Sequence, residues 1–294
     1  MTDAMTTLVL AALAIVLAGP VPWVLTRWPA LRRTPRAAMV LWQSVALAAV
    51  LAALGAGLSL VTSQLTGELS AQAYGFSVIP LALTGLVLAR LLLSGHRVGT
   101  DLRALRRRHR RLVDLLAKDR AGVHVLEHEA PTAYCLPGLR SRVVVSSGAL
   151  DSLTGRELAA VLAHERAHLR ARHDLVLEAF TVLQQAFPAV VTSRHALDEV
   201  RLLVEVLADR AARRRHGATP LVAAFSALTA GGAATPPRSA LAVSGTGLRV
   251  RLELLLDERP HRLQAGCLLF AAVAVLVLPT VLVVLPWLTD LTGG

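Results

Sequence analysis

Four stretches of this chain are apolar and nearly free of charge, and between the third and fourth lies a longer segment where charged, polar and apolar residues mix. A helix crossing ~30 Å of hydrocarbon needs about 20 apolar residues, each rising about 1.5 Å. Residues 6–26, 37–61, 76–93 and 266–288 meet that length. Gly19, Pro20 and Pro22 interrupt the first stretch. Arg90, one turn from the end of the third, is placed to snorkel. The last contains Pro279, tolerable in a membrane helix whose neighbours satisfy the freed carbonyl. A secretory signal does not fit the first stretch, because Asp3 is the only charge before it and no basic n-region is present. Buried helices of a soluble core fit none of the four, on length and on the near-absence of charge.

Composition agrees with a membrane chain. Of 294 residues, 54% are hydrophobic and 17% charged, where soluble domains carry roughly 25% charge. With only Cys135 and Cys267 a disulfide scaffold is excluded, and so much apolar sequence excludes disorder. The net charge of +11 comes from 31 basic against 20 acidic residues. A basic, apolar chain suggests either nucleic acid or membrane, and the placement of the arginines decides. Arg27, Arg32, Arg33 and Arg36 fill the first link without an acid, whereas the second link, residues 62–75, holds only Glu68. Arg90, Arg97, Arg103, Arg106, Arg107, Arg108, Arg110 and Arg111 come at or after the end of the third span. The positive-inside rule then places both termini outside a cell membrane and residues 94–265 in the cytoplasm. The run from Arg103 to Arg111 reads as a juxtamembrane helix meeting anionic lipid, so the lipid bilayer is an expected partner and nucleic acid is not. Trp23, Trp28, Trp42 and Trp287 are expected near the interfaces.

The intervening segment is long enough for a domain with its own core. Its pattern predicts a basic helix over 99–118, short strands over 123–127 and 141–146 with a turn at Pro137-Gly138, and a break at Ser147-Gly148. Thr154 stands three residues before Glu157, the spacing of a capping box, and the helix it opens runs through Leu158, Val161 and Leu162 into His164. Further helices are expected over 175–186, 196–215 and 248–256, with a flexible loop over 230–247. The fold class is thus mainly α: a polytopic membrane protein with four transmembrane helices and a helical domain carrying a small β-hairpin or sheet. Three spans occupy 1–93, the domain 94–265, and the fourth span with a short tail 266–294.

The chemistry is concentrated in His164-Glu165-Arg166-Ala167-His168. Four helical residues turn through about 400°, so both imidazoles leave the same face and can grip one divalent ion, with Glu165 beside them as general base. A catalytic zinc takes three protein ligands. The metzincin pattern would need a glycine and a third histidine where this chain has Ala171 and Asp174. His173, about 140° round a continuous helix from His168, points away from it. That leaves a carboxylate from another helix. Glu205 is the first candidate, because Asp209 one turn on can accept the outer N–H of a ligand histidine. Glu199 is held in reserve.

His164-Glu165-Arg166-Ala167-His168 followed by Glu205-Val206-Leu207-Ala208-Asp209 resembles the gluzincin membrane peptidases, which include the HtpX-type and CAAX-prenyl endopeptidases. The layout of spans resembles more closely the BlaR/MecR-type sensor-transducers, which hold a zinc domain between their third and fourth spans. Residues 133–138 and 143–150 are similar to the strand and turn before the zinc helix in these families. The resemblance implies one Zn²⁺ per chain on His164, His168 and Glu205, with Glu165 as base and Asp209 behind the ligands. It implies an endopeptidase acting on a cytoplasmic or membrane-proximal protein, in regulated proteolysis of a repressor or in quality control. Val143, Val144, Val145 and Ser146 are expected to receive the substrate as an added strand. His195, His216 or a nearby arginine is open as oxyanion donor. The sensors carry a penicillin-binding domain after the fourth span, where this chain ends, so direct β-lactam sensing is not expected. The alternative is a non-catalytic membrane signalling or scaffold protein that retains the peptidase fold. The sequence does not indicate an oligomeric state.

Overall fold

The computed structural model describes residues 3–65, 71–120, 122–138, 140–187, 194–230, 245–257 and 259–292. Two compact units emerge: Met1–His96 with Thr181–Glu199 and His261–Gly294, and Arg97–Phe180 with Val200–Pro260.

The first unit is built on apolar helices: α1 (Asp3–Ala18), α2 (Pro20–Thr26), α3 (Pro35–Leu65), the start of α4 (Ala71–Leu116) and α11 (Arg262–Thr292). Gly19 and Pro20 part α1 from α2, since proline is accommodated only in a helix's first turn. Four segments are long and apolar enough to cross a membrane: Met5–Thr26, Pro35–Ser59, Leu81–Leu116 and Arg262–Val284. α3 packs against both α1 and α11 through small residues. Ala48, Ala52 and Ala56 are buried along it, and a Cβ on Gly55 would come within 2.7 Å of Val283. Lipid gives helices no hydrophobic reason to associate, so close backbone approach and polar contacts such as Thr7 with Ser59, at 2.8 Å, hold them together. Trp23 and Trp28 are exposed as an interfacial belt requires, whereas Trp42 is 2% exposed and packs inside the unit. Trp287 has no described side chain.

α4 corrects one expectation. The third apolar stretch and the basic stretch after it form a single helix to Leu116. Gly95 and Gly99 do not interrupt it, because an interior glycine costs only about 1 kcal/mol relative to alanine and no proline follows.

The second unit wraps helices around a four-stranded sheet: β1 (Ala117–Arg120), β2 (Val123–Leu126), β3 (Ala133–Leu136) and β4 (Arg142–Ser146), in the order β1-β2-β4-β3. β1 and β2 form an antiparallel hairpin around Gly122 at φ +80°, a left-handed conformation that glycine adopts without steric cost. β4 runs parallel to β2 and antiparallel to β3, with Tyr134 opposite Val144. Two strands were anticipated, and β1 takes residues assigned to the end of a helix. Val144 and Val145 at the sheet's centre are fully buried.

The remaining helices are α5 (Ser147–Ser152), α6 (Gly155–Ala171), α7 (His173–Ala186), α8 (Arg194–His216), α9 (Thr219–Ala230) and α10 (Gly245–Leu256). α6 starts where Thr154 and Glu157 predict: the Glu157 N–H donates to Thr154 Oγ1 at 3.4 Å, and the Thr154 N–H to Glu157 Oε2 at 2.8 Å. Such a cap contributes about 1 kcal/mol. α8 ends at Gly217, φ +81°. α9 has no counterpart in the sequence reading. Its Leu221 and Ala224 are fully buried, Leu221 in a cluster with Ala160 and Ala163 of α6 and Ala224 in one with Val161. Most of the loop expected over 230–247 lies outside the described residues, and residues 245–247 begin α10.

Candidate metal centre

α6 sets the geometry. Ala160, Val161, Ala163 and Ala167 turn its apolar face inwards, and His164 shares that face, 6% exposed. One turn later His168 brings its Nε2 to 3.1 Å from His164 Nε2. Glu205, from α8, places Oε2 3.5 Å from His164 Nε2 and Oε1 3.4 Å from His168 Nε2. Zinc bonds of about 2.0–2.1 Å at tetrahedral angles separate their donors by about 3.3 Å. Two imidazole nitrogens and a carboxylate oxygen at these separations fit such an ion. Among the described residues, these three form the one such group of potential ligands.

A second layer of side chains holds these three. Asp209, 1% exposed, has Oδ1 2.9 Å from His164 Nδ1. Arg251 reaches in from α10: its Nε and Nη2 donate to the two oxygens of Asp209 at 2.8 and 2.7 Å, and its Nη1 lies 3.0 Å from Glu205 Oε2. The guanidinium also sits 4.6 Å from the centre of the Phe225 ring. His173 has Nδ1 3.1 Å from His168 Nδ1. Cys135 on β3 lies beside Glu165, close enough for the two to influence each other's ionisation.

The electrostatics follow from burial and from these pairs. Burial pushes Glu165 up to about 7 and the Glu205 charge adds to that, against the lowering effect of His164, Cys135 and Arg251. For His164 burial acts downward, but hydrogen bonds to Asp209 and Glu205 and their charges carry it up to about 10. Burial together with the nearby His164 charge brings His168 down to about 3, leaving its ring neutral with a lone pair. Burial would raise Glu205 and Asp209, yet His164 and Arg251 hold both below the ordinary carboxylate range.

His164, Glu165, His168, Glu205 and Asp209 are therefore brought together. Glu199 is not among them: it accepts from Arg32 Nε and Nη2 at 2.8 and 2.6 Å within the first unit. His216 is exposed at the end of α8, and His195 is exposed in the first unit.

Two expectations need correction. β4 lies between β2 and β3, so the backbone groups on both its edges are already paired. Val143, Val144, Val145 and Ser146 therefore have no free edge for a substrate, and among the described residues the open edge on that side is β3. His173 does not point away. Arg172, in the left-handed conformation at φ 50°, ends α6, and the chain starts α7 in a new direction. A rotation of about 140° holds only along one unbroken helix. Arg251 carries no local signal, because it sits in a short basic helix. It shares a face with Leu254 and Leu255, both buried, and an arginine on an apolar face requires a buried carboxylate partner.

Residues 101–227 match Peptidase family M48. The matched stretch contains α6, Glu205 and Asp209 and stops before α10. Over 60 residues the chain is 47% identical to the mitochondrial metalloendopeptidase OMA1 of Schizosaccharomyces pombe, which is 20% of this chain and 17% of that protein. The chain thus spans under a fifth of that relative's length in the match. No solved structure matches. These likenesses, with the apolar helices, support a membrane metallopeptidase.

Proposed function

We propose that this chain is an integral-membrane zinc endopeptidase. The convergence of His164, His168 and Glu205 on one point, with the Glu165 carboxylate next to them, carries the reading. One zinc per chain would be held by those three residues. Bound there, it would polarise a scissile carbonyl and make a water more acidic. Glu165, beside the ligands, would accept a proton on its carboxylate from the attacking water and pass it to the leaving amine nitrogen. Burial raises the Glu165 carboxyl, which favours its holding a proton between the two transfers. Asp209 and Arg251 keep His164 and Glu205 oriented, so the site needs little rearrangement to act. A binding-only protein has no use for a base at Glu165, which weighs against a scaffold.

The substrate is a protein segment in extended form. β3 is the edge strand beside α6 among the described residues, where an extended segment could add as a further strand, and Cys135 on that strand lies beside Glu165. The division into spans at 1–93, a catalytic domain at 94–265 and a fourth span at 266–294 belongs to this reading. So does the orientation, with the catalytic domain in the cytoplasm and both termini outside, which rests on the arginine asymmetry. The BlaR/MecR-type assignment, and with it cleavage of a repressor, rests on the span layout, while the M48 match supports the broader class.

The test uses the full chain purified in detergent. It should contain about one zinc, and Glu165→Gln should keep the metal while losing proteolysis of an unfolded protein substrate. Wild-type turnover in that variant would reject the enzyme reading.

A further inference from the structure

A histidine that binds a metal through Nε2 must carry its proton on Nδ1, and a buried N–H needs an acceptor. For His164 the group beside Nδ1 is the Asp209 carboxylate, with Oδ1 2.9 Å away. Among the described residues, no carboxylate faces the Nδ1 of His168. The group there is Nδ1 of His173, at 3.1 Å, with the two rings nearly perpendicular at 86° and their centroids 5.0 Å apart. His173 is 6% exposed, so the pair is shielded from solvent.

Two ring nitrogens facing each other share one proton, and only one assignment suits a metal. If His173 donated, His168 would accept on Nδ1 and carry its own proton on Nε2, which faces His164 and Glu205. That tautomer has no lone pair for an ion. With His168 as donor, Nε2 is free and directed at the other two ligand atoms, 3.1 and 3.4 Å away. We propose that His173 is a positioning residue of the metal centre, accepting the Nδ1 proton of His168 and holding that ligand in its metal-binding tautomer. The device depends on Arg172: its left-handed conformation ends α6 and lets the next residue fold back onto the helix it has just left. Asp174, beside His173, pairs with Arg106 at 3.6 Å, which ties the start of α7 to α4 within the same unit.

This inference rests on the metal-centre reading, and the experiment separates the two. Zinc affinity is measured on the full chain in detergent by competition with a chromophoric chelator, for wild type, His173→Leu and His173→Asn. Asparagine keeps an acceptor close to the position of Nδ1. His173→Leu should weaken zinc about 10- to 100-fold, the usual loss for a residue behind a ligand. His173→Asn should recover most of that loss. Nitrogen NMR of histidine-labelled wild type loaded with zinc should show His168 metallated at Nε2 and coupled through its Nδ1 proton to His173. A purely structural role would not produce that coupling, and the measurement stands even if His173→Leu fails to fold. Wild type without zinc affinity would sink the metal centre itself. Wild type that binds zinc while His173→Leu binds equally well, or while the coupling is absent, would overturn the role of His173 alone.

Discussion

Replacing Arg251 by methionine removes the guanidinium that, among the described residues, contacts both Asp209 and Glu205. Asp209 is 1% exposed and loses two charge-assisted hydrogen bonds at 2.8 and 2.7 Å, while Glu205 loses its contact at 3.0 Å. Breaking a buried pair by deleting one partner costs about 3–5 kcal/mol, because the remaining charge cannot reach water. Methionine keeps apolar contact with Phe225, so lost packing is a minor part of the effect. At about 2–4 °C per kcal/mol, the metal-free variant should melt on the order of 10 °C below wild type. Zinc should narrow that gap, since a dication beside Glu205 and His164 supplies positive charge that the arginine no longer provides. The assay is thermal unfolding of the full chain in detergent, followed by far-UV circular dichroism with and without zinc. Adding Asp209→Asn to Arg251→Met should recover part of the loss, because the uncompensated charge is then gone. If metal-free Arg251→Met melts within about 2 °C of wild type, or if zinc leaves the gap unchanged, the electrostatic account of Arg251 is wrong.

The other expectations concern the ligands. Glu205→Gln should fail to retain zinc through dialysis, whereas Glu199→Gln should retain it and lose roughly 1–3 kcal/mol of stability from the stranded Arg32 guanidinium. The opposite pattern in zinc content would exchange the two roles. In the metal-free protein His164 is raised to about 10 by Asp209 and Glu205, so it is protonated at neutral pH and must give up that proton to bind an ion. Its stabilising contribution is complete below the unfolded histidine value and fades as pH rises through about 10. Zinc affinity should therefore rise roughly tenfold per pH unit between neutral and mildly alkaline conditions. Calorimetry in buffers of different ionisation enthalpy should detect the released proton; uptake of zinc with no buffer dependence would contradict it.

The apolar stretches were legible in the sequence because crossing hydrocarbon demands length and absence of charge, and both are properties of a segment read by itself. The same holds for the start of α6, since a capping box is a contact between residues three apart. His164 and His168 were legible for a related reason: helical periodicity alone puts residues four apart on one face. Glu205 could be nominated only because Asp209 stands one turn further along the same helix. Where the reading failed, the answer depended on other parts of the chain. Whether β4 offers a free edge is decided by which strands pair with it, and β2 and β3 take both sides. α9 has no motif of its own and is buried because α6 supplies a complementary apolar face. His173 was misplaced by one residue's backbone, since a left-handed Arg172 redirects everything after it. Arg251 has no marker in its own helix, and it becomes part of the site only because two carboxylates distant in the chain, Asp209 buried and Glu205 half-buried, need a positive charge. The sequence by itself determined which segments are apolar enough for a bilayer and which side chains share a helix face, because those follow from local spacing. Only the tertiary structure decided which edge is open and which groups stand behind the ligands, because pairing and charge compensation are made between segments far apart in the chain.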